Sequence, residues 1–156
     1  MVASASDDNT ARIWNIETGG CEQVLKGHSS WVNLVVFSHD SKMAASASYD
    51  KTARIWNVET GECKQVLKGH SDWVNSVVFS HDSKMVISAS EDKTARIWNV
   101  ETGECKQVLK GHSDSVYSVV FSHDSRMVAS ASEDKTARIW NVETGECKQV
   151  LKGHSD

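Results

Sequence analysis

Apolar residues of this chain occur in short runs that are separated by clusters of polar residues. In the middle of the chain the runs span residues 74–80, 85–90, 94–100 and 105–109. They are rich in Val, Ile, Phe, Trp and Thr and are bounded by Ser, Asp, His, Asn or Gly, which is typical of β-strands. No run has the 3.6-residue spacing of an amphipathic helix. The pattern therefore predicts four strands, which we call a, b, c and d in chain order.

The four-strand pattern recurs along the whole chain at a fixed interval of 42 residues, marked by the methionines at positions 1, 43, 85 and 127. A period of this size indicates a repeat architecture in which each unit packs only on its neighbours. The 156 residues hold about 3.7 units and form one array. We expect fifteen strands, divided between a partial unit 1–28 with strands b, c and d and the complete units 29–70, 71–112 and 113–156.

Strand a is the most continuously apolar strand of each unit, as in residues 74–79. It should lie innermost and be covered on both faces. Four antiparallel strands with two apolar faces are not stable alone, so each sheet must stack on the next one. Radial stacking of such sheets gives a β-propeller.

The residues of the repeat resemble the WD40 family of β-propellers. Each unit has a Ser-x-Ser-x-Asp-x-Thr segment that leads into Ile-Trp, and Gly-His pairs occur at Gly27-His28, Gly69-His70, Gly111-His112 and Gly153-His154. One departure is that the closing Trp-Asp of the family is Trp-Asn here, at Trp14-Asn15, Trp56-Asn57, Trp98-Asn99 and Trp140-Asn141. The near-identical units are similar to the highly repetitive propellers of fungal and bacterial STAND or NLR-type sensors. The resemblance implies an all-β segment of a WD40-type propeller.

The resemblance also implies a structural tetrad in each unit. Asp92 would accept a hydrogen bond from His70, His70 one from Ser88, and Ser88 one from the indole of Trp98; Ser90 is an alternative to Ser88. Such a network would pair polar groups that are costly to bury alone. The equivalent sets are His28, Ser46, Asp50 and Trp56 in the second unit and His112, Ser130, Asp134 and Trp140 in the fourth.

The same Ser, His and Asp residues could be mistaken for the triad of a hydrolase. No Gly-x-Ser-x-Gly nucleophile elbow is present. Three copies in identical surroundings favour a structural role. The sequence therefore predicts a protein that is not an enzyme, and a hydrolase stays a remote alternative.

Comparison of the repeats with one another separates constant from varied positions. The units that begin at Met43 and Met85 differ at six positions, three of which are drastic changes. Two of these positions begin strand a and the third precedes the tetrad Asp in the b–c turn. The residues at these positions are Trp31, Trp73 and Ser115; Asn33, Asn75 and Tyr117; and Asp7, Tyr49, Glu91 and Glu133.

Antiparallel alternation places the d–a loop and the b–c turn at the same end of a blade. The varied residues should therefore surround one mouth of the central channel, the face with which WD40 propellers usually bind partners. Exposed Trp and Tyr are frequent anchors of protein interfaces. We expect a scaffold or recognition module that binds a protein or peptide there; drift at unconstrained surface positions is the alternative.

Net charge and hydropathy exclude several other classes of protein. The formal net charge is −4 and no basic run occurs, which argues against nucleic acid and anionic membranes as partners. The Lys and Arg residues of the b–c turn and strand c look like solvated positions. There is no apolar stretch of about 20 residues and no signal peptide, so we expect a soluble, cytoplasmic protein.

Metal, cofactor and disulfide chemistry are not predicted. The cysteines at positions 21, 63, 105 and 147 follow the repeat, so neighbouring thiols should lie too far apart for disulfides. We expect them to be reduced and half-buried. One histidine occupies each a–b turn, at positions 39, 81 and 123, a spacing that should be too dispersed for a metal site.

The partial first unit predicts self-association. Ser4, Asp8 and Trp14 lack a preceding His, and His154 lacks the following three residues. We expect two chains to close an eight-bladed ring as a head-to-tail homodimer, in which His154 of one chain completes the tetrad of the other. A four-bladed monomer is the alternative, and a propeller fragment whose only activity is self-assembly is the alternative function.

Overall fold

The computed structural model describes residues 1–155, which contain fifteen β-strands and no helix. The first sheet consists of β1 (Val2–Ala5), β2 (Thr10–Trp14) and β3 (Cys21–Lys26). The second consists of β4 (Val32–Phe37), β5 (Met43–Ser48), β6 (Thr52–Asn57) and β7 (Cys63–Lys68). The third consists of β8 (Val74–Phe79), β9 (Met85–Ser90), β10 (Thr94–Asn99) and β11 (Cys105–Lys110). The fourth consists of β12 (Val116–Phe121), β13 (Met127–Ser132), β14 (Thr136–Asn141) and β15 (Cys147–Lys152).

Each sheet is an antiparallel meander in which every strand pairs with its neighbour in the chain. The second, third and fourth sheets have four strands and the first has three, so the described chain forms about 3.7 blades. The all-β fold and the strand count predicted from the sequence are confirmed. The first strand of each complete sheet contacts the first strand of the next, as β4 does with β8 and β8 with β12, so strand a is innermost.

The hydrophobic core lies between successive sheets. In the central junction, Ile55 and Leu67 of the second sheet pack against Val77, Val86 and Trp98 of the third, and all five side chains are fully buried. Equivalent clusters join the first sheet to the second and the third to the fourth. Each blade therefore has two different apolar faces, one for the preceding blade and one for the following blade.

Strand a is covered on both faces only where a blade lies on each side of it. Most residues of β8 are buried, whereas only Val116 and Val119 of β12 are buried and its Val120 is 53% exposed. The expectation of two covered faces is thus wrong for β12. The reason is that β12 belongs to the last sheet of residues 1–155, so that one of its faces has no blade packed against it.

The two end faces of the array do not meet. Leu109 is 1% exposed in the third blade, but its repeat equivalent Leu151 is 46% exposed in the fourth. At the other end Val2 is 51% exposed, whereas Val86 is fully buried. The described chain is therefore an open arc, and the four-bladed closed monomer does not form.

The c–d turns explain why Asn follows the Trp of each repeat. The Asn99 side-chain oxygen accepts hydrogen bonds from the backbone N–H groups of Glu101 and Thr102, each at 2.9 Å. The Gly103 N–H donates to the Asn99 carbonyl at 2.9 Å, and its φ of +73° is the left-handed conformation that glycine adopts without steric cost. Asn is thus a turn-forming residue here.

All four cysteines are exposed, which corrects the expectation that they are half-buried. Each begins the outermost strand of its sheet, which has a neighbour on one side only. The Sγ of Cys105 lies 3.4 Å from the carbonyl oxygen of Gln107 on the same strand. The edge position exposes a residue type that is usually buried.

Candidate functional site

Three complete tetrads link each d–a loop to strands b and c. In the third blade His70 Nδ1 lies 2.7 Å from Asp92 Oδ2, and His70 Nε2 lies 2.7 Å from Ser88 Oγ. The indole Nε1 of Trp98 donates to Ser88 Oγ at 2.8 Å. Ser90 does not join this network, because its hydroxyl donates to the Asp72 carbonyl at 3.1 Å. The other two tetrads have the same contacts at 2.7 or 2.8 Å.

The Asp92 carboxylate is the anchor of its tetrad. Besides His70 it accepts from the N–H of Ser71 at 3.1 Å, the N–H of Thr94 at 3.0 Å and the hydroxyl of Thr94 at 2.6 Å. Burial raises the pKa of Asp92, but the hydrogen bonds from His70 and Thr94 outweigh this and hold the pKa well below its usual range. The ionised carboxylate places the His70 proton on Nδ1 and leaves Nε2 as the acceptor for Ser88.

The chain from Asp through His to Ser has the connectivity of a hydrolase triad, but its surroundings are those of a core. Ser88 and the His70 side chain are 0% exposed. The indole of Trp98 also occupies a lone pair of the Ser88 oxygen that would attack a substrate. A carbonyl substrate has no route to this hydroxyl, whereas nucleophilic catalysis needs an open cleft beside the serine.

The partial first unit forms only part of this network. Trp14 Nε1 donates to Ser4 Oγ at 2.8 Å, as in the complete tetrads. Asp8 instead accepts from the N–H and the hydroxyl of Thr10, and Arg12 lies 3.7 Å from it. Ser4 and His154 are both exposed. The structure therefore does not bring His154 to the other three residues within one chain.

The varied positions meet at one end of the arc, and we call these ten residues the mouth face. Three aromatic rings form a stack across the second and third blades: Trp31 lies on Tyr49 with ring centroids 5.9 Å apart, and Tyr49 lies on Trp73 at 4.3 Å. Trp31 is 51% exposed and Trp73 is 46% exposed. The mouth face comprises Asp7, Trp31, Asn33, Tyr49, Trp73, Asn75, Glu91, Ser115, Tyr117 and Glu133.

Polar members of the mouth face are joined by hydrogen bonds. Asn75 Nδ2 donates to Glu91 Oε1 at 3.0 Å, and the Ser115 hydroxyl donates to Glu91 Oε2 at 2.6 Å. The hydroxyl of Tyr117, a residue that is 49% exposed, donates to Glu133 Oε2 at 2.9 Å. The bond between Ser115 and Glu91 joins the fourth blade to the third, and the other two bonds lie within one blade each.

The remaining mouth-face residues differ in their access to a partner. Asn33 is exposed and donates to the Asn75 carbonyl at 3.1 Å. Ser115 is only 6% exposed, so it orients Glu91 rather than offering a surface of its own. Asp7 is exposed in the b–c turn of the first sheet.

Sequence reasoning missed Asp114 as a neighbour of this site. The hydrogen bond to Glu133 raises the pKa of Tyr117 above its usual value, and the negative charges of Glu133, Glu91 and Asp114 add to this effect. The exposed hydroxyl of Tyr117 therefore lies in the negative field of three carboxylates, of which Glu133 is bonded to it. Asp114 has the same identity as Asp72, so the comparison of the units that begin at Met43 and Met85 gave no signal for it; the equivalent residue Ser30 of the second blade would have shown that the position varies.

The histidines of the a–b turns lie closer together than expected. The ring centroids of His39 and His81 are 4.5 Å apart, and those of His81 and His123 are 4.6 Å apart. The expectation that they are dispersed is wrong, because these turns continue the innermost strands, where the blades converge. Across residues 1–155, however, no group of three or more His, Cys, Asp or Glu side chains is arranged to hold a metal ion.

The arginines beside the tetrads are less solvated than expected, whereas Lys51 and Lys93 are exposed. Arg54 is half-buried, and its guanidinium carbon lies 5.9 Å from the ring centroid of Trp56. Its Nε is buried and, within the described residues, makes no hydrogen bond. Lys93 donates to the Ser113 carbonyl at 3.0 Å. Arg54 thus covers the tetrad Trp as an apolar side chain with a charged end.

A cleft of about 1070 Å³ lies away from the mouth face, between the third and fourth blades. Residues of and beside the c–d turns line it, including Glu104, Gln107 and Glu143. Gln107 Nε2 crosses between the blades to the Glu143 carbonyl at 2.7 Å. The equivalent residues hardly vary between repeats, so we assign this cleft to blade packing.

Within residues 1–155 no helix is long and apolar enough to cross a membrane.

Comparison with known proteins agrees with the repeat geometry. The family model described as "WD domain, G-beta repeat" matches residues 1–15, 19–57, 61–99 and 103–141. A nuclear distribution protein PAC1-2 of Uncinocarpus reesii is 45% identical over 42 residues, which is 27% of this chain and 9% of that protein. Nuclear distribution protein PAC1 of Coccidioides posadasii has the same identity and coverage. PAC1 of Fusarium vanettenii is 48% identical over 40 residues, or 26% of this chain and 9% of that protein.

The matches to these relatives are about one repeat long and span less than a tenth of each relative's length. The similarity between these relatives and this chain is therefore a similarity of the repeat unit. The family model, in contrast, matches all four units, including strands b and c that build the tetrads. The chain belongs to the WD domain, G-beta repeat family.

Proposed function

We propose that this chain is a non-enzymatic recognition module that binds a protein or peptide on its mouth face. The observation that carries the proposal is the exposed stack of Trp31, Tyr49 and Trp73, with Tyr117 beside it. Large aromatic side chains are expensive to expose and are frequent anchors of interfaces. The frame beneath, formed by the tetrads and the inter-blade core, holds this surface in place.

The distribution of differences between the repeats supports the same proposal. The tetrads keep their residues in each complete unit, whereas the mouth-face positions change between Trp and Ser, Asn and Tyr, or Tyr and Glu. The exposed c–d turns barely change, although the solvent would tolerate other residues there. Drift alone should alter both surfaces, since surface substitutions usually have small effects on stability.

The experiment is a selection of peptides from a random library against the immobilised chain. We expect binders whose affinity is lost in the triple variant Trp31→Ala, Trp73→Ala and Tyr117→Ala. A matched control changes three exposed c–d turn residues, Glu59→Ala, Glu101→Ala and Glu143→Ala, and should keep binding. Melting curves confirm that both variants are folded. Binders that ignore the mouth-face variant, or the absence of any binder, would overturn the proposal.

We propose self-association through the two end faces of the array as a second candidate function. The reason is that these faces are formed by residues at the same positions of the repeat as residues that pack between blades elsewhere. The exposed Val2 and Leu151 are equivalent to residues that are buried between blades elsewhere in the chain. The face that begins the array therefore fits the face that ends it. His154 of one copy could then reach Ser4 and Asp8 of another, which would complete the tetrad.

Size exclusion with light scattering tests the self-association of this chain. We expect twice the 17.2 kDa mass of one chain, as in an eight-bladed homodimer, and a return to a single mass when Leu151 is changed to Glu. Leu109→Glu is unsuitable as a control because that residue is buried, whereas the exposed Glu101→Lys is suitable and should leave the mass unchanged. A native chain that stays monomeric at micromolar concentration would contradict this second candidate.

The names of the relatives give no more specific function. They are nuclear distribution proteins, and the similarity to this chain covers about one repeat of each. We therefore keep the proposal at a protein-binding scaffold, without a catalytic step or a cofactor. The cytoplasmic location stays a prediction.

A further inference from the structure

The mouth face contains a continuous row in which residues of the d–a loops alternate with residues of the b–c turns. A backbone hydrogen bond fixes the two members from each blade. The Tyr49 N–H donates to the Trp31 carbonyl at 3.0 Å, the Glu91 N–H to the Trp73 carbonyl at 3.0 Å, and the Glu133 N–H to the Ser115 carbonyl at 2.9 Å. The order along the row is Trp31, Tyr49, Trp73, Glu91, Ser115 and Glu133.

One half of this row is aromatic. Tyr49 stacks on Trp73 with an interplanar angle of 11°, and Trp31 stacks on Tyr49 at 29°. Tyr49 is thus held between two indoles. The exposed parts of these indoles are the aromatic surface that a partner can contact. Aromatic faces carry negative charge density and attract cations.

The other half of the row is acidic, and its carboxylates are held in place before any partner arrives. Glu91 is fixed at both oxygens, by Asn75 at 3.0 Å and Ser115 at 2.6 Å. Glu133 is fixed by the hydroxyl of Tyr117 at 2.9 Å. Each carboxylate oxygen can accept more than one hydrogen bond, so both groups can still receive donors from a ligand.

The lysine of the Glu91 turn is directed to the next blade, and carboxylates outnumber it in the acidic half. Lys93 donates its ammonium to the Ser113 carbonyl at 3.0 Å. Asp114 adds a third carboxylate near Tyr117. An anionic partner would meet repulsion here, and a wholly apolar peptide would cover the fixed carboxylates without supplying a positive charge to pair with them.

We propose that the row binds a peptide segment that bears arginine, with the guanidinium lying against Trp73 and paired with Glu91. This inference rests on the proposed function and names the chemistry of its partner. Trp73 marks the border where the aromatic half meets the acidic half. A planar guanidinium stacks on an aromatic ring and donates to a carboxylate at the same time, which the ammonium of lysine does less well. Glu133, next along the row, suits a second basic residue of the peptide.

The first experiment starts from the peptides that were selected from the random library. It determines their sequences and measures how strongly their binding depends on two substitutions in this chain. Trp73→Ser copies the residue that the fourth blade has at this position, and Glu91→Gln removes the charge at constant size. We expect arginine to be enriched in the binders and binding to weaken by about tenfold or more in each variant. The exposed Glu59→Gln of the c–d turn is the control and should not change binding.

The outcomes separate this inference from the proposed function. Binders that need Trp73 but lack arginine and ignore Glu91→Gln would overturn the inference and leave the proposed function standing. Binders that ignore both substitutions would overturn both.

The second experiment uses one selected peptide and its derivatives. Citrulline in place of arginine keeps the planar shape and removes the charge, so we expect about tenfold weaker binding or more by calorimetry. Lysine in the same place should bind with intermediate affinity, and added salt should weaken the arginine peptide more than the citrulline peptide. Equal affinity of the arginine and citrulline peptides would overturn the inference.

Discussion

Replacing Asp92 by alanine tests whether the tetrads hold the blades together. The substitution removes a carboxylate that accepts four hydrogen bonds, from His70, from the Ser71 N–H and from both donors of Thr94. The most costly consequence is at His70, whose side chain is 0% exposed and would lose the acceptor for its Nδ1 proton. Water cannot reach this group easily, because the d–a loop and Trp98 surround it.

The size of the effect follows from these contacts. A buried donor left without a partner costs about 1–3 kcal/mol, and each further hydrogen bond contributes about 1 kcal/mol. Since the half-buried Thr94 donors keep some access to water, we expect a total loss of about 3–5 kcal/mol in the free energy of unfolding. That is a large part of the stability of an ordinary domain.

The first blade supplies the matched control. Asp8 has the same two bonds from Thr10, at 2.9 and 2.6 Å, but no histidine partner, and its side chain is 49% exposed. Asp8→Ala should therefore shift the urea midpoint much less than Asp92→Ala does, with circular dichroism as the readout. Equal shifts of the two midpoints would refute the reasoning, because the contribution of His70 would then be negligible.

The same contacts and turns support three more predictions. Hydrogen bonds from His and Thr outweigh burial and lower the pKa of the tetrad aspartates in the folded protein. The stability that these aspartates contribute is therefore complete above about pH 4 and is lost as the pH falls below that value. The melting temperature should drop below about pH 4, and it should drop less steeply in Asp92→Asn. Gly103→Ala should destabilise the fold by about 1 kcal/mol more than Gly19→Ala, because both have positive φ but only at Gly103 would the added Cβ lie 2.7 Å from Gln65 Oε1. All four cysteines should react with a thiol reagent in the native state, because all four are exposed.

The strands and the tetrads could be predicted from the sequence because the same pattern of apolar and polar residues occurs in each repeat. Polar punctuation gave the strand boundaries, and the run 85–90 coincides with β9. The tetrad geometry came from family resemblance, and the structure resolves the open choice between Ser88 and Ser90, since only Ser88 faces His70.

The failures concern properties that depend on distance from the propeller axis. The same 42-residue spacing leaves the thiols exposed on the outermost strands but brings His39 and His81 into contact near the axis. The 42-residue period shows which residues are equivalent, but it does not show how far they lie from the propeller axis. The stack of Tyr49 on Trp73 was missed for a related reason, because its partners belong to different blades.

Our interpretation of this protein is that a constant frame presents an independently variable binding face. The most direct measurement is the affinity of a selected peptide for the native chain and for Trp73→Ser, together with the urea midpoint of both proteins. We predict that the variant loses at least about tenfold in affinity while its midpoint stays close to the native value, because the half-exposed indole stacks on Tyr49 of the mouth face and is not part of the core between the blades. Unchanged affinity, or a midpoint that falls as far as that of Asp92→Ala, would contradict this interpretation.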